Sequence, residues 1–137
     1  MSTTNSEYDT ARLNILSAYF TGTFRMILLN NTYTFDEEDA VPNDLTGEIS
    51  AAGNYTTGGI ALASLAVSEQ DASDRSIVDF ADVDLGAELT FRSAVLVKQV
   101  GGSPDGANDE LVSFHGWDSD QVTPTLKMGD NGILWAT

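Results

Sequence analysis

Apolar and polar residues alternate most clearly over residues 89–100, LTFRSAVLVKQV. Leu89, Phe91, Val95 and Val97 share one side of a period of two, with Ser93 between them. Thr90, Arg92, Leu96, Lys98 and Val100 share the other. Successive side chains of a strand point to opposite faces, so this stretch predicts a long strand with one buried and one mixed face. Its β-branched and aromatic residues suit a half-buried pleated surface. Gly86 stands before it, and Gly101 and Gly102 end it.

A different period governs the N-terminal part. From Tyr8 the apolar positions Tyr8, Ala11, Ile15, Ala18 and Tyr19 approach the i, i+3, i+4, i+7 spacing of a helix. Ser6 offers a hydroxyl to an orphan amide, Asp9 favours the positive helix end, and Gly22 stops the helix. Leu13, Leu16 and Phe20 form a second stripe, which must lie against a sheet or a partner. Residues 1–6 read as a flexible N-terminal tail, or one that orders only on a partner.

The remaining apolar runs are short. Residues 24–29 (FRMILL) have strand length, residues 45–50 alternate weakly as an edge strand, and residues 60–67 form an apolar stretch. Residues 76–85 alternate in part and end in a polar segment. Residues 111–117 (LVSFHGW) read as the hairpin partner of 89–100, followed by a polar loop over 118–123. Residues 125–128 and 133–136 flank Gly129-Asp130-Asn131-Gly132, residues that tolerate positive φ and predict a hairpin. Residues 53–59 (GNYTTGG) are turn chemistry, and residues 34–43 (TFDEEDAVPN), with four successive acids, read as a solvated loop. The predicted class is mainly β: an antiparallel β-sandwich or partly open barrel of about seven short strands with one N-terminal α-helix. The 137 residues suit a single β-rich domain over 1–137.

Charge sharpens this picture more than length does. Six Lys and Arg against 21 Asp and Glu give −15, a surface that repels nucleic-acid phosphates and anionic lipid. Direct DNA or RNA binding is therefore excluded, and no apolar run reaches the roughly eighteen residues of a membrane span. With 42% hydrophobic residues the chain still has the means to fold. There is no cysteine, so disulfides, thiolate metal sites and cysteine nucleophiles are excluded. The polar, Lys- and Arg-free start MSTTNSEYDT is not a secretory signal.

Candidate chemistry is sparse. His115 is the only histidine. It reads as a packed or surface residue, because a general base or a metal site needs partners it does not visibly have. Asp118 with Asp120, Asp71 with Asp74, and Asp79 with Asp82 and Asp84 offer oxygens, yet calcium takes roughly six to eight and no EF-hand loop is present. Incidental surface acids explain these pairings in a chain with 21 of them. Residues 53–59 lack the ending of a phosphate loop. Tyr33, Phe35, Tyr55 and Trp135 are aromatics able to bind sugar or protein, or to pack at edges. No catalytic, cofactor-binding or metal residue is assigned, and no cofactor is expected.

The order of segments resembles a widespread family of small structural proteins of tailed bacteriophages. The resemblance rests on Leu28–Leu29 with Asn31-Thr32-Tyr33-Thr34, on the Gly-Tyr-Thr-x-Gly-Gly turn at residues 53–59 with Asn54 inserted, and on Ser73-Asp74-Arg75 before the run ending at Val83. It rests also on Asn131-Gly132-Ile133-Leu134. Where the family carries a Trp before the central strand, Leu85 and Gly86 stand here. The resemblance implies a virion component and not an enzyme. A strongly acidic chain is incompatible with the DNA-lined interior of a head, so the expectation is a decoration (cement) protein. It would sit on the outer surface of the head, be made in the host cytoplasm, and stabilise contacts between subunits. Its expected partners are the major capsid protein or other virion proteins, with a homotrimer as the expected assembly. A neck, tail or baseplate component, or a receptor- or glycan-binding module, are the alternatives. Candidate contact residues are Tyr8, Ala11, Ile15 and Tyr19 on the helix. Arg92 and Lys98 are added from the less apolar face of the central strand, where they should meet carboxylates of a neighbouring strand or subunit.

Overall fold

The computed structural model describes residues 14–15, 17–70, 75–100, 109–127 and 134–136. Among them the chain is mainly β, with every named strand pair antiparallel, as the sequence pattern anticipates. The seven described strands form two open sheets, and neither closes into a barrel. The chain divides into two compact units, each of which holds one sheet.

The larger unit comprises Gly22–Leu62 and Asp82–Lys127. Its strands are β1 (Phe24–Leu29), β2 (Ile60–Ala61), β5 (Val83–Lys98) and β6 (Glu110–Leu126), in the order β2-β1-β5-β6. All six residues of β1 are buried, and each pairs with a residue of β5, from Phe24 opposite Lys98 to Leu29 opposite Ser93. Ile27, Leu29, Val95 and Val97 make the core of one face, with Tyr33, Leu45, Leu111 and Phe114 packed against it. On the opposite face Met26, Leu28, Ala94 and Leu96 are buried as well. The predicted mixed face of the central strand is thus apolar through its middle and polar only at Thr90, Arg92 and Lys98.

A strand buried on both faces must pair its backbone without water, because an orphaned buried amide costs as much as a lost hydrogen bond. β2 is only two residues long, so the outer edge of β1 is completed by other groups. Leu62 N–H donates to Phe24 O at 2.9 Å, Ile49 N–H to Leu28 O at 3.1 Å, and Asn30 N–H to Gly47 O at 2.7 Å. Leu28 N–H donates to the Tyr55 hydroxyl at 3.1 Å, and that hydroxyl donates to Glu48 Oε2 at 2.6 Å. Glu48 Oε2 also accepts Gly58 N–H at 2.8 Å. Tyr55 is buried, and burial with the Glu48 carboxylate raises its hydroxyl pKa well above the ordinary range. The expected edge strand over 45–50 is therefore a single bridge, Leu29 to Glu48, which ends where the tyrosine takes over.

The second feature of β1 is Arg25, buried in an otherwise apolar strand. Its guanidinium pairs with Asp109, which is fully buried, and donates to Gly58 O. The other Asp109 oxygen accepts Val100 N–H at 3.0 Å. The pair ties β1 to both ends of the β5–β6 connection.

The β5–β6 ladder departs three times from regular pairing, once where β6 carries Val112 as an extra residue between the Leu96 and Val97 pairs, and twice by four residues against one. Between Asp84–Thr125 and Leu89–Thr123, β5 carries residues 85–88 opposite Pro124. Gly86 sits there at φ +72°, and a Cβ on it would come within 2.8 Å of Asn54. Asn54 docks onto this excursion, its N–H donating to Leu85 O at 2.8 Å and its Nδ2 to Asp84 O at 3.1 Å. A Cβ on Gly53 would lie 2.3 Å from Leu85 O, which is why the 53–59 turn starts with glycine. Further along, β6 carries residues 117–120 opposite Arg92 alone. This excursion is held by an edge-to-face contact of Phe91 with Trp117 at 5.6 Å and by Arg92 Nε to Asp120 Oδ1 at 2.9 Å.

The smaller unit comprises Met1–Thr21, Ala63–Ala81 and Met128–Thr137. Its sheet is β3 (Ala66–Gln70), β4 (Arg75–Asp79) and β7 (Leu134–Ala136), in the order β3-β4-β7. Val78, Phe80 and Phe20 are buried. Of the expected helix, residues 14–15 and 17–19 have helical backbone, and Gly22 follows at φ +91°. Residues 1–6, Tyr8, Ala11, Leu13, Leu16 and 101–108 lie outside the described residues.

Several boundaries differ from expectation. The strands are not uniformly short, since β5 has 16 residues and β6 has 17. β5 begins at Val83 and passes through Gly86, so the expected strand over 76–85 is divided between β4 and β5. The polar segment 118–123 is β6 itself: residues 121–123 pair with β5, and residues 118–120 belong to the excursion opposite Arg92. Among the described residues the expected hairpin of 125–128 with 133–136 is not formed as a pair. Residues 125 and 126 stay with β5, and β7 pairs with β4.

Tyr55→Phe keeps the ring and orphans Leu28 N–H, so it should lower stability by about 1–3 kcal/mol in denaturant unfolding. An unchanged midpoint would remove the hydroxyl from the sheet. Asp109→Leu alone strands a buried guanidinium and should cost about 3–5 kcal/mol, whereas Arg25→Met with Asp109→Leu should recover most of that loss. Equal losses in single and double variants would contradict the pairing.

Candidate functional site

The concave feature of the larger unit lies over the β1–β5–β6 core, beneath residues 33–45. In sequence this segment looked like a solvated acidic loop. In the fold it is pinned at both ends. Tyr33 and Leu45 pack on the core. Leu111 N–H donates to Ala40 O at 3.1 Å, tying the segment to the start of β6. Pro42–Asp44 forms a 3-10 turn. Asp44 Oδ2 accepts Ala40 N–H at 2.9 Å and Val41 N–H at 3.1 Å, and these donors hold its carboxyl below the ordinary range. Asp36 Oδ1 accepts Glu38 N–H at 3.0 Å.

The result is an open cleft of about 160 Å3. Tyr33, Phe35, Leu45, Leu111 and Phe114 give it an apolar lining, and Asp36, Glu37 and Asp39 supply carboxylates. The Phe35 and Phe114 rings are tilted by 33° with centroids 5.2 Å apart, and Tyr33 lies 5.9 Å from Phe114. Phe35 is 55% exposed. Tyr33 donates its hydroxyl to Asp39 Oδ2 at 2.8 Å, which fixes that carboxylate on the wall. Burial, and then this hydrogen bond, raise the Tyr33 pKa.

Reactive chemistry is not assembled here. Ser113 Oγ lies 2.9 Å from His115 Nε2 on β6, a serine–histidine contact that sequence reasoning did not single out. Burial lowers the His115 pKa. Among the described residues no carboxylate hydrogen-bonds the other ring nitrogen, so the orienting member of a triad is not supplied. No group of three or more metal-ligating side chains occurs among the described residues. Asp79 and Asp84 serve local turns, accepting Phe80 N–H and Gly86 N–H, both at 2.9 Å. Asp118 and Asp120 are exposed, and Asp71 and Asp74 lie outside the described residues.

Four of the six expected contact residues are described. Ile15 is 66% exposed and Tyr19 half-buried, while Tyr8 and Ala11 are outside the described residues. Arg92 meets the carboxylate of a neighbouring strand, Asp120, at 2.9 Å. Lys98 lies opposite Glu110 in the ladder. Of the aromatics noted in the sequence, Tyr33 and Phe35 reach the cleft, Tyr55 is interior, and Trp135 lies in β7. The cleft had one sequence signal, the Tyr33-x-Phe35 alternation before four acids. Phe114, eighty residues away, had none pointing to it.

Because the Tyr33 pKa is raised in the folded chain, its contribution to stability is full below the unfolded value of 10.0 and is lost as pH rises through the folded value. The tyrosinate absorbance missing from Tyr33→Phe, taken by difference, should titrate above pH 10.0. A difference curve centred at or below that value would mean the hydroxyl is not held by Asp39. Comparison of the chain with protein-family models, curated proteins and solved structures finds no match.

Proposed function

We propose that the chain is a structural component of a tailed-bacteriophage virion, a decoration protein that clamps capsid subunits on the outer surface of the head. The observation that supports this reading most is the open edge of β6. Among the described residues β6 pairs as a strand only with β5, so apart from Leu111 N–H, taken by Ala40 O, and Thr125 N–H, taken by Thr123 Oγ1, the outer edge of this 17-residue strand is open to strand addition. Such an edge is a template for strand addition. Glu110, Asp118, Asp120 and an exposed Pro124 lie along it. Two copies joined edge to edge would set these carboxylates against each other, which favours a different, less acidic partner strand. A shell subunit supplies one.

The test is location and copy number on purified particles of the encoding phage, by cryo-EM and quantitative mass spectrometry. Copies in fixed proportion to the capsid protein, with β6 continuing a sheet of the shell, are expected. A handful of copies at one vertex would move the protein to the neck or tail, and absence from particles would end the virion reading.

A further inference from the structure

The cleft between residues 33–45 and the β5–β6 face has a chemistry that the edge of β6 does not use. We propose that it is a recognition pocket for one arginine side chain presented by a basic protein segment.

Size comes first. At about 160 Å3 the cleft falls below the roughly 300–1,000 Å3 of sites that engulf a metabolite, which suits a single inserted side chain. Its lining comes second. Phe35 and Phe114 offer aromatic surface, Phe35 with more than half of its own surface open. Leu45 and Leu111 cover what an aliphatic stem would touch. Charge comes third. Asp36, Glu37 and Asp39 line the cleft, and among the described residues no Lys or Arg does. Carboxylates only accept hydrogen bonds, so the site demands a donor. The Tyr33 hydroxyl is already committed to Asp39. An occupant with an apolar stem, a flat cationic head and several donors satisfies all three. Guanidinium does so better than ammonium, because it stacks on a ring face while forking onto a carboxylate.

The cleft shares only the start of β6, Leu111 to Phe114, with the proposed edge, and the inference stands whether or not the chain is a particle component. Its test uses the full chain and titrates N-acetyl-arginine amide, following the methyl resonances of Leu45, Val95 and Leu111. N-acetyl-citrulline amide has nearly the same shape without the charge. Saturable shifts with the arginine amide, and binding of the citrulline amide about 5- to 30-fold weaker, are expected. Phe35→Ala, at an exposed position, should weaken the arginine amide about 2- to 5-fold. Glu37→Gln and added salt should weaken it too. Equal binding of citrulline would reduce the cleft to an apolar groove, and equal binding of a lysine amide would overturn the guanidinium assignment. Saturation by a methyl glucoside in place of arginine would make it a sugar site, and no shift with any probe would end the proposal.

Discussion

Water has no access to β1. All six of its residues are buried, and its amides and carbonyls must find partners within the protein. β5 meets this need on one side with six consecutive pairs. The other side is harder, because β2 covers only Arg25 and Met26. Beyond Met26 the chain substitutes Gly47 O, Ile49 N–H and the Tyr55 hydroxyl for a strand. The tyrosine is suited to this because its O–H accepts from Leu28 and donates to Glu48 at once. Glu48 in turn holds Gly58 N–H, which fixes the turn that delivers Tyr55. The closure is circular: the turn is set by the residue whose partner it supplies.

The same constraint explains why a charge is tolerated inside. Arg25 interrupts an apolar run, and a lone guanidinium there would carry a large desolvation cost. Asp109 neutralises it and spends its second oxygen on Val100 N–H. Gly58 O takes another guanidinium donor, so the tyrosine turn and the ion pair meet at one residue. The pair need not be worth more than an apolar replacement. It does set which end of β6 lies beside which end of β5, since only one register brings Asp109 to Arg25.

How much of this could be read from the sequence follows from how local each cause is. Alternation over 89–97 identified the buried inner face, because a period of two is written into neighbouring residues. The turn at 53–59 was legible for the same reason, its glycines holding φ of +57°, +97° and +115°. The extent of β6 was not legible. Residues 118–120 are polar and loop-like, and they stay in the strand because Trp117 packs on Phe91 and Asp120 pairs with Arg92, partners about thirty positions away. The cleft was half legible. Tyr33 and Phe35 alternate visibly ahead of the acids, but Phe114 completes the aromatic lining through a pairing with Val95 that no local pattern encodes.

The acidity has a structural consequence beyond solubility. With six cations in the chain, Arg25 is enclosed by Asp109 and Arg92 is engaged by Asp120, so the positive charge that β1 and β5 carry is matched within the sheet that holds it. The excess of carboxylates is left on the surfaces, over the cleft and along β6. Surface carboxylates in such excess repel copies of the chain at distances of about a Debye length, near 10 Å at moderate salt, and attract basic partners over the same range. Long-range charge therefore selects the partner before contact, and short-range geometry selects the pose after it. An edge strand accepts almost any extended segment through its backbone, whereas a cleft of one side chain's volume does not. On the two proposals made above, selectivity for one partner over another would lie in the cleft, and binding area in the edge.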